Sequence, residues 1–273
     1  MIAPYPVGYT GDGLTRGVTL ALPASQVRNS LPPGLHLGEQ HVTPPGTHPV
    51  ILQFHDYTRC RLTVPTLLPH MQYREQTLSI PFTYVAGAAG SSAGPFVFMP
   101  QLYLDHSFVT AAGFAFWGFG KTMANITLTP DRYTVHSPTG ARLISLTWKL
   151  ASNGHATPNT YPAFEPIRQM LSQPLISMLP AATGPFRVLT DFHRNWAIAS
   201  LRPLQTLLEI DAPYSPHLHP GPYPSSGIDT SPVGSFELVT PWFLSFPYSP
   251  AIAISGELSA ISYQRSANPR SPR

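Results

Sequence analysis

Short runs of β-branched and aromatic residues, some alternating with polar positions and some continuous, recur along the chain between breaks made of Pro, Gly, Asn and Ser. They predict strands at 50–54, 78–85, 96–104, 125–128, 133–136 and 142–150, and again at 186–192, 197–201, 236–246 and 251–263. Two segments carry helical signals instead. Residues 23–30 run into Pro32-Pro33-Gly34, and 164–173 set Ile167, Met170 and Leu171 on one face, with Pro166 in the first turn and Pro174 closing the element. Continuous apolar runs beside alternating ones suit a sheet covered on one or both faces. The balance predicts a mainly β (α+β) fold, an antiparallel, closed or cone-like β-barrel with a few flanking helices.

Composition narrows the picture. The 33 prolines and 20 glycines are spread along all 273 residues instead of marking a linker, so a single domain over 1–265 is expected, with a disordered tail at 266–273. The Pro/Ser/His segment 213–232 is too long for an ordinary connection and is expected to cover a site or an interface. Charged residues make up 11% of the chain, against about 25% in typical soluble domains. That deficit implies covered surface, and a homo-oligomer is expected. The net charge of +3 comes with no basic cluster interleaved with aromatics, which argues against a nucleic-acid partner. Cys60 is the sole cysteine, so neither an internal disulfide nor a cysteine-based zinc site is available, and no metal or other cofactor is expected. Residues 1–8 lack a basic region followed by an apolar one, and no run nears the ~20 apolar residues of a membrane span. A cytoplasmic protein with no membrane partner is the expectation.

Candidate chemistry centres on Lys121. It and Lys149 are the only lysines, and Lys121 follows the most apolar aromatic stretch of the chain, Ala111-Ala112-Gly113-Phe114-Ala115-Phe116-Trp117-Gly118-Phe119-Gly120. An amine desolvated among aromatic rings has its charged form disfavoured. At an unperturbed value of ~10.4 only about 0.04% of a lysine is neutral at pH 7, whereas a fall of ~3 units frees roughly a quarter of it to attack a carbonyl. Phe116, Trp117 and Phe119 are read as alternating, some towards a pocket and some towards the core. Other motifs carry less. Gly118-Phe119-Gly120-Lys121-Thr122 resembles the end of a phosphate-binding loop, but bulky aromatics precede it and a strand-like segment follows. Gly90-Ser91-Ser92-Ala93-Gly94 fits a nucleophile elbow in form, yet Pro95 and a second strand follow where a helix is required. His217-Leu218-His219 offers two imidazoles, which do not define a metal site. His55 and Cys60 lie too close in one strand for a Cys-His pair, and His55 is better read as a substrate hydrogen-bond partner.

The segment Tyr103-Leu104-Asp105, then Gly113 and Trp117-Gly118-Phe119-Gly120-Lys121, with Tyr73-Arg74-Glu75 leading through 76–79 into Ile80-Pro81 upstream, resembles the acetoacetate decarboxylase family in the order and spacing of its blocks. The resemblance is clear over 50–128. It implies a cone-like barrel, puts Lys121 on the Schiff-base lysine and Glu75 on an active-site glutamate, and makes Gln53, His55, Trp117 and Phe119 candidate substrate-binding residues. The chain departs from the family at Thr122, where a second lysine would stand, at Phe114-Ala115 in place of Arg-Glu, and at Gly120 in place of proline. No acidic residue occupies 50–53, where a second family carboxylate would fall. Any neighbouring cation must therefore come from elsewhere, and Arg74 is the local candidate. Relative to the family, 56–75 contains an insertion with Leu67-Leu68-Pro69-His70-Met71, another candidate for shaping a pocket entrance. The implied activity is a Schiff-base lyase acting on a small-molecule keto acid or ketone. Decarboxylation of a β-keto acid larger and less polar than acetoacetate, such as a polyketide-like acid of secondary metabolism, is the first expectation. An aldolase, dehydratase or cyclase using the same amine, or a non-catalytic small-molecule-binding barrel, stands as the alternative.

Overall fold

The computed structural model describes residues 7–63, 69–90, 93–151, 161–179, 186–212, 214–215, 218–226 and 234–248. The elements run β1 (Gly8–Pro23), α1 (Ala24–Arg28), β2 (Leu35–Leu37), β3 (Thr47–Leu62), β4 (Met71–Val85), β5 (Phe96–Leu104), α2 (Ser107–Trp117), β6 (Lys121–Met123), β7 (Asn125–Leu128), β8 (Arg132–His136) and β9 (Arg142–Leu150). They continue with α3 (Phe164–Leu171), β10 (Leu175–Leu179), β11 (Phe186–Thr190), β12 (Phe192–Arg194), β13 (Ser200–Ile210), β14 (Gly221–Ser226) and β15 (Ser235–Ser245).

The mainly β expectation holds, but the sheet is neither closed nor wholly antiparallel. Strands follow the order β11-β10-β5-β4-β3-β1-β15-β13-β9-β8-β7, and no ladder joins β7 to β11 among the described residues. Branching explains the open path. Beyond β4, β5 pairs in parallel with β10 at Val97 and Phe98, and with β6 over Leu102 to Leu104. Likewise β15 meets β13 along Ser235 to Val239 and β12 along Trp242 to Leu244. A strand that changes partner along its length divides the sheet into lobes instead of returning it on itself.

The central ladder is a long hairpin of β3 and β4, with β1 on the other side of β3. One face of β3 carries Val50, Leu52 and Phe54, which join Leu78, Ile80, Tyr133 and Leu146 in the largest core cluster. Leu146 has no exposed surface, so truncation to alanine should cost about 2–5 kcal/mol. On the opposite face, Ile51 packs under α3 with Ile167 and Met170. Further along that face, Tyr57 and Tyr73 join Leu102, Leu104, Phe119 and Trp242.

Several sequence expectations require correction. β1 is the longest unpredicted strand, because Gly8, Gly11, Gly13 and Gly17 interrupt its alternation. It is held by pairing to β3 from Tyr9 to Pro23 and to β15 from Gly8 to Val18. The strand expected at 197–201 begins only at Ser200 and extends to Ile210. Segment 213–232 is no simple loop, since β14 lies within it. Tyr214 accepts a hydrogen bond from Gln76 Nε2 at 2.8 Å, on the face of β4 opposite Glu75, so this part of the segment packs into the core and does not cover Lys121. The expected strand 251–263 and the tail 266–273 lie outside the described residues.

Helix α2 is the most consequential difference, since Phe116 and Trp117 sit on a helix and do not alternate in a strand. Val109, Thr110 and four aromatics give this segment a strand-like composition. Its ends and its place in the topology make it helical. His106 Nδ1 accepts from the Val109 N–H at 3.4 Å. At the far end Gly118 takes a left-handed conformation (φ 66°), with Gly118 N–H donating to Phe114 O and Phe119 N–H to Gly113 O, both at 3.2 Å. The Gly118-to-Phe114 bond is that of the αL cap, and φ > 0 favours glycine there. Parallel strands also need a crossover of about a dozen residues, and α2 is the crossover from β5 to β6.

Candidate functional site

The β3–β4 register assembles a polar strip. Tyr57 lies opposite Tyr73, His55 opposite Glu75, Gln53 opposite Thr77 and Ile51 opposite Ser79. Alternate residues of a strand share a face, so all of these except Ile51 converge on one cavity of about 60 Å³. Lys121 reaches it from another direction. The α2 crossover ends at Gly118, and β6 opens with Lys121 beside Leu102. From there Lys121 Nζ donates to Glu75 Oε2 at 3.0 Å, with side chains only 9% and 10% exposed. The Phe119 ring centroid lies 6.0 Å from the amine. The aromatic surroundings expected for Lys121 are thus half of its environment, and a carboxylate is the other half. Lys149, in contrast, is exposed on β9.

Arg74 is not the neighbouring cation. It follows the alternation away from Glu75, with Asp105 at 3.5 Å and Asp56 at 3.9 Å. The second cation of the cavity is Arg194, delivered by β12 opposite Trp242. Its guanidinium lies 4.4 Å over the Phe192 ring and donates to the Leu171 carbonyl. It makes no ion pair with a carboxylate among the described residues. Burial lowers it to about 10, so it stays charged at neutral pH. Nothing local in the sequence singles it out, because its approach depends on β12 leaving the main path to pair with β15.

Neutral polar groups share the rest of the lining with apolar side chains, among them Val97, Met99, Leu171 and Leu175. His55 is held well below the ordinary imidazole range by burial and then by the positive charges of Arg194 and Lys121. It exchanges a 2.8 Å hydrogen bond with Thr15 Oγ1 through Nδ1 and stacks on Tyr57 at 4.8 Å. Gln53 Nε2 donates to Ser79 Oγ at 2.9 Å, while its buried Oε1 has no partner among the described residues and is free to accept one. Burial, followed by the charge of Glu75, pushes the phenols of Tyr57 and Tyr73 far up, so both remain donors. Thr15, Tyr57, Tyr73, Thr77 and Ser79 went unselected in the sequence. Polar residues at every second position over 73–79 were the signal that could have found most of them.

The structure therefore brings Gln53, His55 and Phe119 to the Lys121–Glu75 pair and leaves Trp117 outside that cavity. Trp117 lies on α2, donates through Nε1 to Ser245 O at 2.8 Å and stacks on Phe246 at 5.2 Å. It lines a second, apolar cavity of about 130 Å³, which also includes Leu62 and Met71 from the ends of the β3–β4 hairpin. Residues 64–68 of that hairpin lie outside the described residues. Cys60 is buried and its thiol is pushed up to about 12, chiefly by burial, so it offers no thiolate to a Cys-His pair. A strand follows Lys121 where a phosphate loop needs a helix, and β5 is the first element after Gly94, where a nucleophile elbow needs a helix. Ser91, Ser92 and His217 lie outside the described residues, among which no three His, Cys, Asp or Glu side chains group as metal ligands.

Comparison with known proteins agrees with this architecture. Acetoacetate decarboxylase from Legionella pneumophila superposes with a TM-score of 0.59 at 16% identity, covering 90% of this chain and 91% of that one. The enduracididine biosynthesis enzyme MppR, complexed with pyruvate, gives 0.58 at 15% identity, with 91% and 92% covered. An acetoacetate decarboxylase-like enzyme from Sphingomonas wittichii RW1 gives 0.54 at 14% identity, with 89% and 92% covered. At such identities these likenesses speak for the fold. No curated protein matches the sequence significantly. The family model for acetoacetate decarboxylase, however, matches residues 5–194, well over half of the chain and the stretch that carries Glu75, Lys121 and Arg194. The chain belongs to the acetoacetate decarboxylase family.

Proposed function

We propose that this protein is a Schiff-base lyase acting on a keto acid, with Lys121 as the nucleophile and Glu75 as its proton partner. The observation that carries the reading is the 3.0 Å contact between the two, both nine-tenths buried, in a cavity that also holds an arginine with no carboxylate partner among the described residues. Glu75 accepts a proton from the Lys121 ammonium, and the neutral amine adds to the substrate carbonyl. Loss of water leaves an iminium ion, which the Glu75 carboxylate balances in charge. In decarboxylation of a β-keto acid the bond to the carboxylate breaks, carbon dioxide leaves and the electron pair enters the enamine. A proton from Glu75 or a tyrosine phenol then returns to carbon, and hydrolysis frees the product and the amine.

Arg194 favours a second fate for the same iminium ion. A guanidinium on a carboxylate stabilises the charge that decarboxylation must remove, which works against the loss of carbon dioxide. With the carboxylate kept, Glu75 takes a proton from the carbon next to the iminium, the resulting enamine adds to an aldehyde, and loss of water completes an aldolase-dehydratase reaction. MppR, a protein of similar fold, is complexed with pyruvate, a keto acid.

Borohydride reduction in the presence of keto acids, followed by peptide mass spectrometry, tests the proposal. A substrate-dependent adduct on Lys121, absent from Lys149 and from the Lys121→Ala variant, is expected. Labelling the substrate carboxyl carbon separates the two fates, as label released in carbon dioxide marks decarboxylation and label retained in the adduct marks aldol chemistry. No adduct with any keto acid would overturn the Schiff-base reading.

A further inference from the structure

We propose that the apolar cavity on the α2 side of Lys121 holds the tail of the substrate, so that the substrate is an oxo acid bearing an unbranched alkyl or aryl group of about six carbons. This rests on the Schiff-base reading of Lys121. The polar and apolar cavities border four residues in common, Tyr73, Phe119, Lys121 and Leu244. The amine thus stands between them, with Glu75 on one side and Gly113 of α2 on the other. A carbonyl carbon attached to Lys121 has one substituent facing each cavity.

Size and chemistry divide the substituents. The cavity beside Glu75 and Arg194, about 60 Å³, is less than half the size of the other, and its polar groups suit a carboxylate although Val97, Met99, Leu171 and Leu175 also line it. The apolar cavity, about 130 Å³, approaches the ~150 Å³ that accommodates a benzene ring. Leu62, Met71, Val109 and Trp117 contribute to its wall, and no carboxylate or arginine does among the described residues. A charged tail would lose its hydration there without gaining a partner. Phe108 and Phe116, 53% and 59% exposed, also border the cavity and set an aromatic rim towards solvent.

The test is a series of straight-chain 2-oxo acids from pyruvate to 2-oxodecanoate, with phenylpyruvate and 2-oxoglutarate, each scored by the concentration that half-saturates borohydride trapping on Lys121. Each added methylene should lower that concentration about fourfold, levelling off once the tail reaches about six carbons. 2-Oxoglutarate should trap worse than the apolar acid of equal length. Ala112→Phe, which fills the cavity from α2, should flatten the series. A flat series in the unaltered protein, or 2-oxoglutarate trapping as well as its apolar counterpart, overturns the inference while leaving the Schiff base standing. If no acid traps at all, calorimetry with 4-phenylbutanoate, which has no carbonyl, decides separately. Binding that Ala112→Phe abolishes supports the tail site, and no binding overturns it.

Discussion

Replacing Gly113 with alanine should separate stability from chemistry. A Cβ at this position would meet Lys121 Cδ and Cε at 2.5 Å and Nζ at 3.0 Å, and the nearest atoms are all on that one flexible side chain. Ordinary carbon contacts begin near 3.5 Å, so the lysine must withdraw by about 1 Å. That movement is thermodynamically mild, because the far end of a lysine yields easily and alanine gains about 0.8–1.0 kcal/mol of helix preference over glycine. The net change should stay within about 1 kcal/mol, or roughly 2–4 °C in melting temperature for a chain of this size. The chemistry has no such tolerance, since a 1 Å misplacement of a reacting group costs about 100-fold in rate. Single-turnover trapping of a Lys121 adduct with pyruvate, measured beside a thermal melt, reads both quantities. A wild-type trapping rate in a stable Gly113→Ala protein would refute the packing of the lysine stem against α2. A melt lowered by more than about 3 kcal/mol would show that the helix, and not the amine, absorbs the clash.

Other outcomes follow from the same geometry. Glu75→Gln keeps a hydrogen-bond acceptor near Lys121 but removes the proton acceptor, so imine formation at neutral pH should slow about 10²–10⁴-fold, as read by the trapping rate. Arg194→Gln should weaken binding of keto acids by about 10–100-fold while leaving neutral ketones little affected, which a comparison of pyruvate with a methyl ketone would show. Stability should also decline as pH falls. His48, whose Nε2 meets Pro81 O at 2.8 Å, and His55 are both lowered, mainly by burial. A depressed imidazole leaves the unfolded chain binding protons first, so stability is full above the unfolded value of about 6.5. Below it, stability falls by up to about 1.4 kcal/mol per pH unit for each histidine until its folded value is reached. Urea titrations from pH 7.5 to 5.5 read this slope, and a flat profile would show that these rings protonate freely in the fold.

The sequence by itself determined the strand-rich character of the chain, the boundaries of β5 and β7, and Lys121 as the candidate nucleophile. Each of these rests on a local signal, either period-2 patterning or a residue type out of place in its surroundings. Gln53 and His55 were legible for the same reason, as polar residues alternating with Leu52 and Phe54. What only the tertiary structure decided depends on long-range partners. The glycine-broken β1 is a strand because β3 and β15 pair with it along its length. Segment 107–117 is a helix despite its strand-like residues, because parallel β5 and β6 need a crossover that its two caps can close. Arg194 becomes the second cation, in place of Arg74, because β15 changes partner at Trp242 and brings β12 over the cavity. Local preference fixes which residues alternate, but which face of which strand they meet is set by pairings between residues more than a hundred positions apart.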